Sequence, residues 1–458
     1  KRNCYRIDAE QMFVEMTRGR SDIYDIMTHL TFMYIEAEKI RRNGEDHKDR
    51  KRREWALLEA LVEKELNGEA IDEEVAYTYL SVLLGRTYQE TLEAAKRFAA
   101  DSNANSLFHV TYWLGRLAAE EQWDNNDREI SFSSALREKI GHHVLGEAWS
   151  ANIKRFLHDN KLENRPLHII SANTHSIMNC LYAPAALKGV SSASKLEDMA
   201  RELSIESNGE LRKKVRNLAL QHGMYELDDH SGTNIPAQIF DLAQIDPKTL
   251  SPEISWNADH VQQEQPLLFV MDYAFGEQAF ETFDELFKPY ENDGGRRVMP
   301  VKSIGIMGKA GILEGGKGDI MVPNAHIFEG TADNYPIDND LSKADFEGQG
   351  LQVFEGPMIT VLGTSLQNKD ILRYFLKSSW KAIGLEMEGA HYQKAIQAHA
   401  RIRNNIPADV VLRYAYYASD NPLETGGTLA SGSLGLDGVK PTYLISIKLL
   451  NKIVGGKS

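Results

Sequence analysis

The run Val410-Val411-Leu412-Arg413-Tyr414-Ala415-Tyr416-Tyr417 carries one charge and then stops at Ala418-Ser419-Asp420-Asn421-Pro422. It reads as a buried strand that ends on an acidic residue. A second segment upstream, Gly384-Leu385-Glu386-Met387-Glu388-Gly389-Ala390-His391, repeats the pattern. There Lys381 to Leu385 reads as a short apolar strand, and Glu386 to about Ala400 as a helix rich in Ala, Gln and Lys. In α/β sheets, ligands sit beyond the carboxyl ends of strands. Two carboxylates delivered there from different strands point to a small-molecule site.

Each acidic residue suits a distinct task. Glu388 falls at or just before a helix N-terminus, where the dipole favours an ionised carboxylate. An ionised carboxylate only accepts hydrogen bonds, which suits two neighbouring hydroxyls such as those of a ribose. Asp420, at the end of a buried strand, is placed for a raised pKa and for general-acid work. Taken singly, the two read more readily as a helix-capping Glu and a turn Asp; the pair together with the segments below reverses that.

Together with other segments in order, the motifs resemble the purine nucleoside phosphorylase / nucleosidase superfamily, which includes methylthioadenosine nucleosidase, uridine phosphorylase and AMP nucleosidase. Glu386-Met387-Glu388 resembles its E-M-E strand end, and Ser419-Asp420 its following Ser-Asp. Ile304 to Leu313 resembles the Gly-x-x-Gly-Gly-Leu strand end, and Gly318-Asp319-Ile320-Met321-Val322 the Gly-Asp-Ile/Val-Val-Val strand. Leu267 to Phe275 with Gly276-Glu277-Gln278-Ala279 resembles the preceding strand and Gly-loop. Leu167 to Ser171, opening into Asn173-Thr174-His175-Ser176, resembles the first strand. Val361 to Gln367 resembles the segment along the base. The likeness spans about residues 160–458.

The resemblance implies a three-layer α/β/α phosphorylase-like domain around a twisted mixed sheet. It implies that Glu388 holds the ribose 2′ and 3′ hydroxyls and that Met387 packs on the sugar. Asp420 would protonate purine N7 as the glycosidic bond breaks, and Leu366 and Gln367 would line the base. Glu386, Ser419, Gly276 and Gly308 complete the expected substrate-contacting set. At the position of the family's phosphate-binding Arg this chain has Ile306, which favours hydrolysis over phosphorolysis. Lys309 offers a charge for a 5′-phosphate or for inorganic phosphate as co-substrate. The loop that carries the nucleosidases' water-activating Glu has none here, and His175 is the candidate replacement base. The expected activity is cleavage of the N-glycosidic bond of a purine nucleoside or nucleotide, with AMP or a 5′-modified adenosine favoured. The rivals are a phosphate-dependent phosphorylase using Lys309, and a nucleoside sensor without turnover. No cofactor is expected. Members of the superfamily are usually oligomers, so a homo-oligomer is the expected state.

The acidic balance, net −14 over 458 residues, disfavours a nucleic-acid partner, which usually meets a basic face. Cys4 and Cys180 are the only cysteines, so the chain has neither a disulfide framework nor a Cys-based zinc site. No apolar run approaches the roughly 20 residues of a membrane helix, and no secretory signal is visible. A cytoplasmic protein with no membrane partner is the expectation.

Length suggests two or three domains. Residues 1–160 read as an α-helical domain of about five helices, with periodic segments at Ile23–Ile40, Glu54–Leu66, Glu73–Ala100, Ser106–Gln122 and Ser134–Lys161. Residues 161–458 read as the α/β domain, with an insertion at about 190–263. Within it, Lys195–Leu203 and Gly209–His222 look helical and Asp228–Glu264 looks like irregular connection. The Gly-rich stretch Glu424–Gly438 reads as a loop able to close on a ligand. Gly311 to Gly318 nearly matches a phosphate-binding P-loop, but Gly318 stands where Ser or Thr must be, and a strand follows instead of a helix. His142-His143 and His391 have no partners at ligand spacing, so no metal site is expected.

Overall fold

The computed structural model describes residues 3–16, 19–48, 50–99, 106–124, 127–139, 143–292, 295–331, 333–363, 368–424 and 434–455. Its contacts divide the chain into two compact units, Asp25–Ser133 and a larger one made of Lys1–Tyr24 with Ser134–Ser458.

The smaller unit is helical. It holds most of α1 (Gly19–Gly44), with α2 (Arg53–Leu66), α3 (Glu73–Leu84), α4 (Tyr88–Ala99) and α5 (Leu107–Trp123). Asp72 and Ser106 cap α3 and α5 by accepting the amides of Val75 and His109. The span expected as one helix over 73–100 is two, because Gly85 adopts φ 59 and ends α3 in a left-handed turn. Leu58, Leu80 and Leu83 form the fully buried centre of this unit.

The larger unit begins with a hairpin, β1 (Cys4–Arg6) and β2 (Met12–Val14). After the helical unit come α6 (Ser134–Lys139) and α7 (Val144–Asp159), then β3 (Leu167–Ser171) and α8 (Thr174–Ala186). The inserted segment gives α9 (Leu196–Ser204), α10 (Gly209–Gln221), β4 (Met224–Leu227), β5 (Ala237–Asp241) and α11 (Ala258–Glu264). Next are β6 (Leu267–Met271), α12 (Gln278–Phe287) and a hairpin of β7 (Tyr290–Asn292) and β8 (Gly295–Arg297). The long strands β9 (Val301–Ile312) and β10 (Ile320–Phe328) follow, then β11 (Asn334–Pro336), β12 (Val353–Thr360) and α13 (Lys369–Lys377). The chain ends with β13 (Gly384–Glu386), α14 (Gly389–Gln397), β14 (Val411–Asp420) and α15 (Val439–Val454).

Ten strands form one mixed sheet in the order β11-β10-β12-β13-β9-β3-β6-β5-β4, with β14 bridging β10 and β9. The pairings β9-β13-β12-β10-β14-β9 therefore close on themselves. Alternate residues of a strand face opposite sides. Thus Leu268 and Val270 join a core with α8, α10 and α15, whereas Leu267, Phe269 and Met271 join one with α7 and α12. Helices cover both faces of the sheet, a mixed α/β architecture.

Further expectations change. Residues 1–24 and 134–160 group with the sheet and not with the helical unit, so the helical domain is narrower than 1–160. In α7, Trp149 Nε1 donates to the Ile235 carbonyl at 3.0 Å, and Ser150 Oγ and Lys154 Nζ donate to the Glu285 carbonyl at 2.9 and 2.7 Å. These partners lie 86 to 135 residues away, so helical periodicity alone does not assign the helix. The stretch 228–264, read as irregular, contains β5, which pairs antiparallel with β6 over all five residues. The insertion thus widens the sheet with β4 and β5. The glycine-rich stretch ending at Gly318 leads directly into β10, as a strand and not a P-loop helix.

Candidate active site

The two acidic turns meet across one backbone residue. Gly311, near the end of β9, is in register with Leu385 of β13 on one side and with Asp420 of β14 on the other. Neighbouring strands lie about 4.8 Å apart. The E-M-E turn and the Ser-Asp end therefore straddle β9, about two strand spacings from each other.

A cavity of about 1280 Å³ opens there. Six of the expected residues line it: His175, Lys309, Glu386, Met387, Glu388 and Ser419. Asp420, half-buried, is the residue next to the lining and does not form part of it; the same holds for Gly276 and Gly308. Leu366 and Gln367 lie outside the described residues, as do residues 425–433 of the Gly-rich loop.

Glu386 and Glu388 are two residues apart and differ in environment. Glu386 is buried, 4 % exposed, and folds back on its own turn. Its carboxylate takes the amides of Glu388, at 2.6 Å, and of Gly389, together with the Thr360 hydroxyl. Thr360 Oγ1 in turn accepts the Ala390 amide at 2.9 Å. Glu386 therefore satisfies the first amides of α14, which a helix leaves without intrahelical partners. Burial, then the charge of Glu388, pushes the Glu386 carboxyl up to about 8. Glu388 is the N-cap residue of α14. Its Oε1 accepts the Gly276 amide at 3.0 Å and its Oε2 the Met387 amide at 3.3 Å.

At the end of β14, Ser419 Oγ lies 2.8 Å from Asp420 Oδ1 and 3.1 Å from the Ala310 carbonyl, so its one proton is shared between them. The turn beyond is fixed by Asn421, whose Nδ2 donates to the Gly315 carbonyl at 3.0 Å. Gly308 is a packing residue. A Cβ there would stand 2.7 Å from the Tyr416 ring and 3.2 Å from Tyr273 Oη.

His175 sits on the first turn of α8, behind the Asn173 cap that accepts the Ser176 amide at 2.8 Å. It is open to the cavity yet surrounded by protein. That surrounding lowers its pKa, and the nearby Asp272 carboxylate opposes the shift. Asp272 follows β6, which runs parallel to β3 with Met271 beside Ser171, so neighbouring strands present Asp272 and His175 at the same end. Burial raises the Asp272 carboxyl. Asp272 was not among the residues the sequence pointed to, and only the strand pairing relates it to His175.

The inserted segment contributes to the cavity wall through Leu203, Ser204, Glu206 and Arg212. The Arg212 guanidinium is committed to the carbonyls of Leu203, Ile205 and Glu206 at 2.6–2.9 Å. Arg201 Nη1 reaches the Leu436 carbonyl at 3.2 Å, joining the insertion to the segment before α15.

Away from the cavity, His143 meets Asp284 and Glu285, a set able to hold a cation. The sequence shows no such spacing because the partners are some 140 residues apart. Lys288 and Arg403 pair with the same carboxylates, so the cluster already carries its positive charges. His391 packs edge-on against Phe328 at 4.7 Å, and burial lowers it to about 3. No helix among the described residues is long and apolar enough to cross a membrane.

Comparison with known proteins gives solved structures of low identity. Futalosine hydrolase of Helicobacter pylori is 13% identical, with 63% of this chain and 99% of that chain covered, at a TM-score of 0.36. The 5′-methylthioadenosine/S-adenosyl homocysteine nucleosidase of Campylobacter jejuni is 11% identical, with 63% and 100% covered, at 0.37. AMP nucleosidase from Bacteroides thetaiotaomicron is 14% identical, with 68% and 99% covered, at 0.36. No curated protein matches the chain. A family model matches residues 1–191 and 198–455, and the chain belongs to that family, the family of unknown function DUF6909.

Proposed function

We propose that this protein hydrolyses the N-glycosidic bond of a purine nucleoside or nucleotide in the cavity between β13 and β14, on a phosphorylase-like α/β fold. The observation that carries the reading is the shared register at Gly311, which sets the Glu388 turn and the Ser419-Asp420 end on either side of one strand.

In this reading Glu388 accepts hydrogen bonds from the ribose hydroxyls and stabilises the positive charge that develops on the sugar. Asp420 donates a proton to the base, so the C1′–N9 bond breaks with its electron pair leaving on a neutral purine. A water bonds to C1′ and gives its proton to His175, whose neutral form is favoured by its surroundings. Asp272 then stabilises the charged imidazolium. Met387 packs against the sugar.

Lys309 favours a second reading. It lines the cavity from β9, three residues beyond Ile306, and would hold either a 5′-phosphate or an attacking inorganic phosphate. One assay separates these. Base release is measured from AMP, adenosine, inosine, guanosine and methylthioadenosine, each with and without phosphate. Free base without phosphate is the expected result. Release only with phosphate makes the protein a phosphorylase, and no release from any substrate refutes both.

A further inference from the structure

We propose that Asn179, one turn beyond His175 on α8, is a specificity-determining residue for a substituent on the 5′ carbon of the substrate, and that it selects a group ending in an O–H or N–H donor over a phosphate. The inference rests on the nucleosidase reading and names the 5′ group that reading takes.

The cavity is larger than a nucleoside needs. Pockets that enclose drug-sized ligands run to about 300–1,000 Å³, whereas this one is about 1280 Å³. With the ribose hydroxyls on Glu388 and the base on Asp420, the 5′ carbon is the point from which a substrate extends. Part of the wall is built by α8, α9 and α15, which pack on one another. There Met178, Leu203, Leu434 and Val439 line the cavity with buried apolar side chains. Such a neck suits a carbon chain and gives a phosphate no hydrogen bond. Arg212, at the same wall, commits its guanidinium to the carbonyls of Leu203, Ile205 and Glu206.

Asn179 stands at this wall as a half-satisfied amide. Its Nδ2 donates to the Tyr443 phenol at 2.7 Å, while its Oδ1 has no hydrogen-bond partner among the described residues. That oxygen is not sealed in the protein, and the residue, only 6 % exposed, lines the cavity. Tyr443 is buried, and burial raises its phenol, so it stays protonated and neutral beside the amide. The contact fixes which way the carboxamide faces, with its acceptor toward the cavity. Asn179 follows His175 by four residues, so both lie on one face of α8, about 6 Å apart along its axis. His175 serves C1′, and Asn179 meets what extends past the sugar. A donor there satisfies Oδ1. An alkyl end covers it without a hydrogen bond, and a phosphate sets acceptor against acceptor.

The test is kcat/KM on the full chain for adenosine, AMP and two adenosines of matched length, one with a 5′-hydroxyalkylthio tail and one whose alkylthio tail ends in methyl instead. A series of tail lengths covers the reach to Asn179. Wild type should prefer the hydroxyl tail over its alkyl match by about tenfold or more at the best length, and should prefer it over AMP. Asn179→Leu should bring the ratio between the tails close to one. Both tails meet the same enzyme, so a general loss of fold or catalysis cancels from this ratio, and a merely structural role for Asn179 would not move it. Leu203→Trp narrows the neck and serves if Asn179→Leu does not fold; it should lower the rate with tailed substrates relative to adenosine by about tenfold. Parity between the tails in wild type, a preference for AMP, or a folded Asn179→Leu that keeps the hydroxyl preference overturns this inference, and adenosine cleavage then leaves the nucleosidase reading standing. Where turnover is absent, the same ratios are read from calorimetric Kd values. Wild type that neither cleaves nor binds any of these nucleosides overturns both.

Discussion

Asp420 stands in register with Gly311, the residue whose other neighbour is Leu385 of the E-M-E turn. The relation fixes the separation of proposed acid and ribose ligand through backbone hydrogen bonds alone. Because β9, β13, β12, β10 and β14 close a circuit, neither turn can slide without breaking pairings elsewhere.

If Asp420 is the acid, Asp420→Asn keeps size and polarity but cannot donate a carboxylic proton. Turnover should fall about 10²–10⁴-fold while the nucleoside Kd stays within a few-fold. Single-turnover base release, paired with calorimetry, checks this. Normal turnover would remove Asp420 from the mechanism.

Gly276→Ala places a Cβ onto Ser21 at a residue with φ +54. The left-handed conformation alone costs about 1–2 kcal/mol for a non-glycine residue. The variant should lose at least that much unfolding free energy in urea melts, with a lower midpoint, and lose base release more than stability predicts. Wild-type midpoint and activity would show that the loop accommodates a side chain.

The lowered pKa of His175 sets a pH signature. A base works in its neutral form, and the protein around the open imidazole favours that form, so the acid limb of kcat/KM should lie below the ordinary histidine value of about 6.5. Asp272→Asn removes the charge that opposes the shift, and the limb should then move further toward acid. A limb at or above 6.5 attributable to His175 would contradict the assignment.

Glu386 offers a stability test with a definite sign. Its carboxyl is raised to about 8 in the fold, while an unfolded Glu titrates near 4.5. Between these values the folded chain holds a proton that the unfolded chain has released, so its contribution to stability falls as pH rises from about 4.5 to 8. Glu386→Gln mimics the protonated form and should gain on wild type over that window by on the order of 1–3 kcal/mol. Glu386→Ala should instead destabilise at every pH, since the amides of 388 and 389 lose their acceptor at about 1–3 kcal/mol each. Urea melts from pH 5 to 8 distinguish the two.

Local chemistry was legible in the sequence wherever it follows a strand end. Glu388, Ser419 and His175 each close an apolar run, and the structure gathers all three at one cavity. What escaped was long-range. Asp272 meets His175 only through the pairing of β3 with β6, and His143 reaches Asp284 across the sheet's helical layer. β5 went unread because it is only five residues long and lies between two antiparallel partners, β4 before it and β6 after it, neither of which its own residues reveal. The break at Gly85 needed a backbone angle, since helical periodicity continues on both sides of it.

The bond from Glu277 to Ser21 spans 256 residues, and this separation orders the assembly of the molecule during synthesis. The helical unit, residues 25–133, is complete in the nascent chain before the first strand of the main sheet emerges. Its helix-to-helix contacts are short in sequence and form early. Ser21, translated before any of it, waits until β6 and the loop after it exist. A residue translated ahead of the helical unit is thus among the last of the α/β unit to find its place.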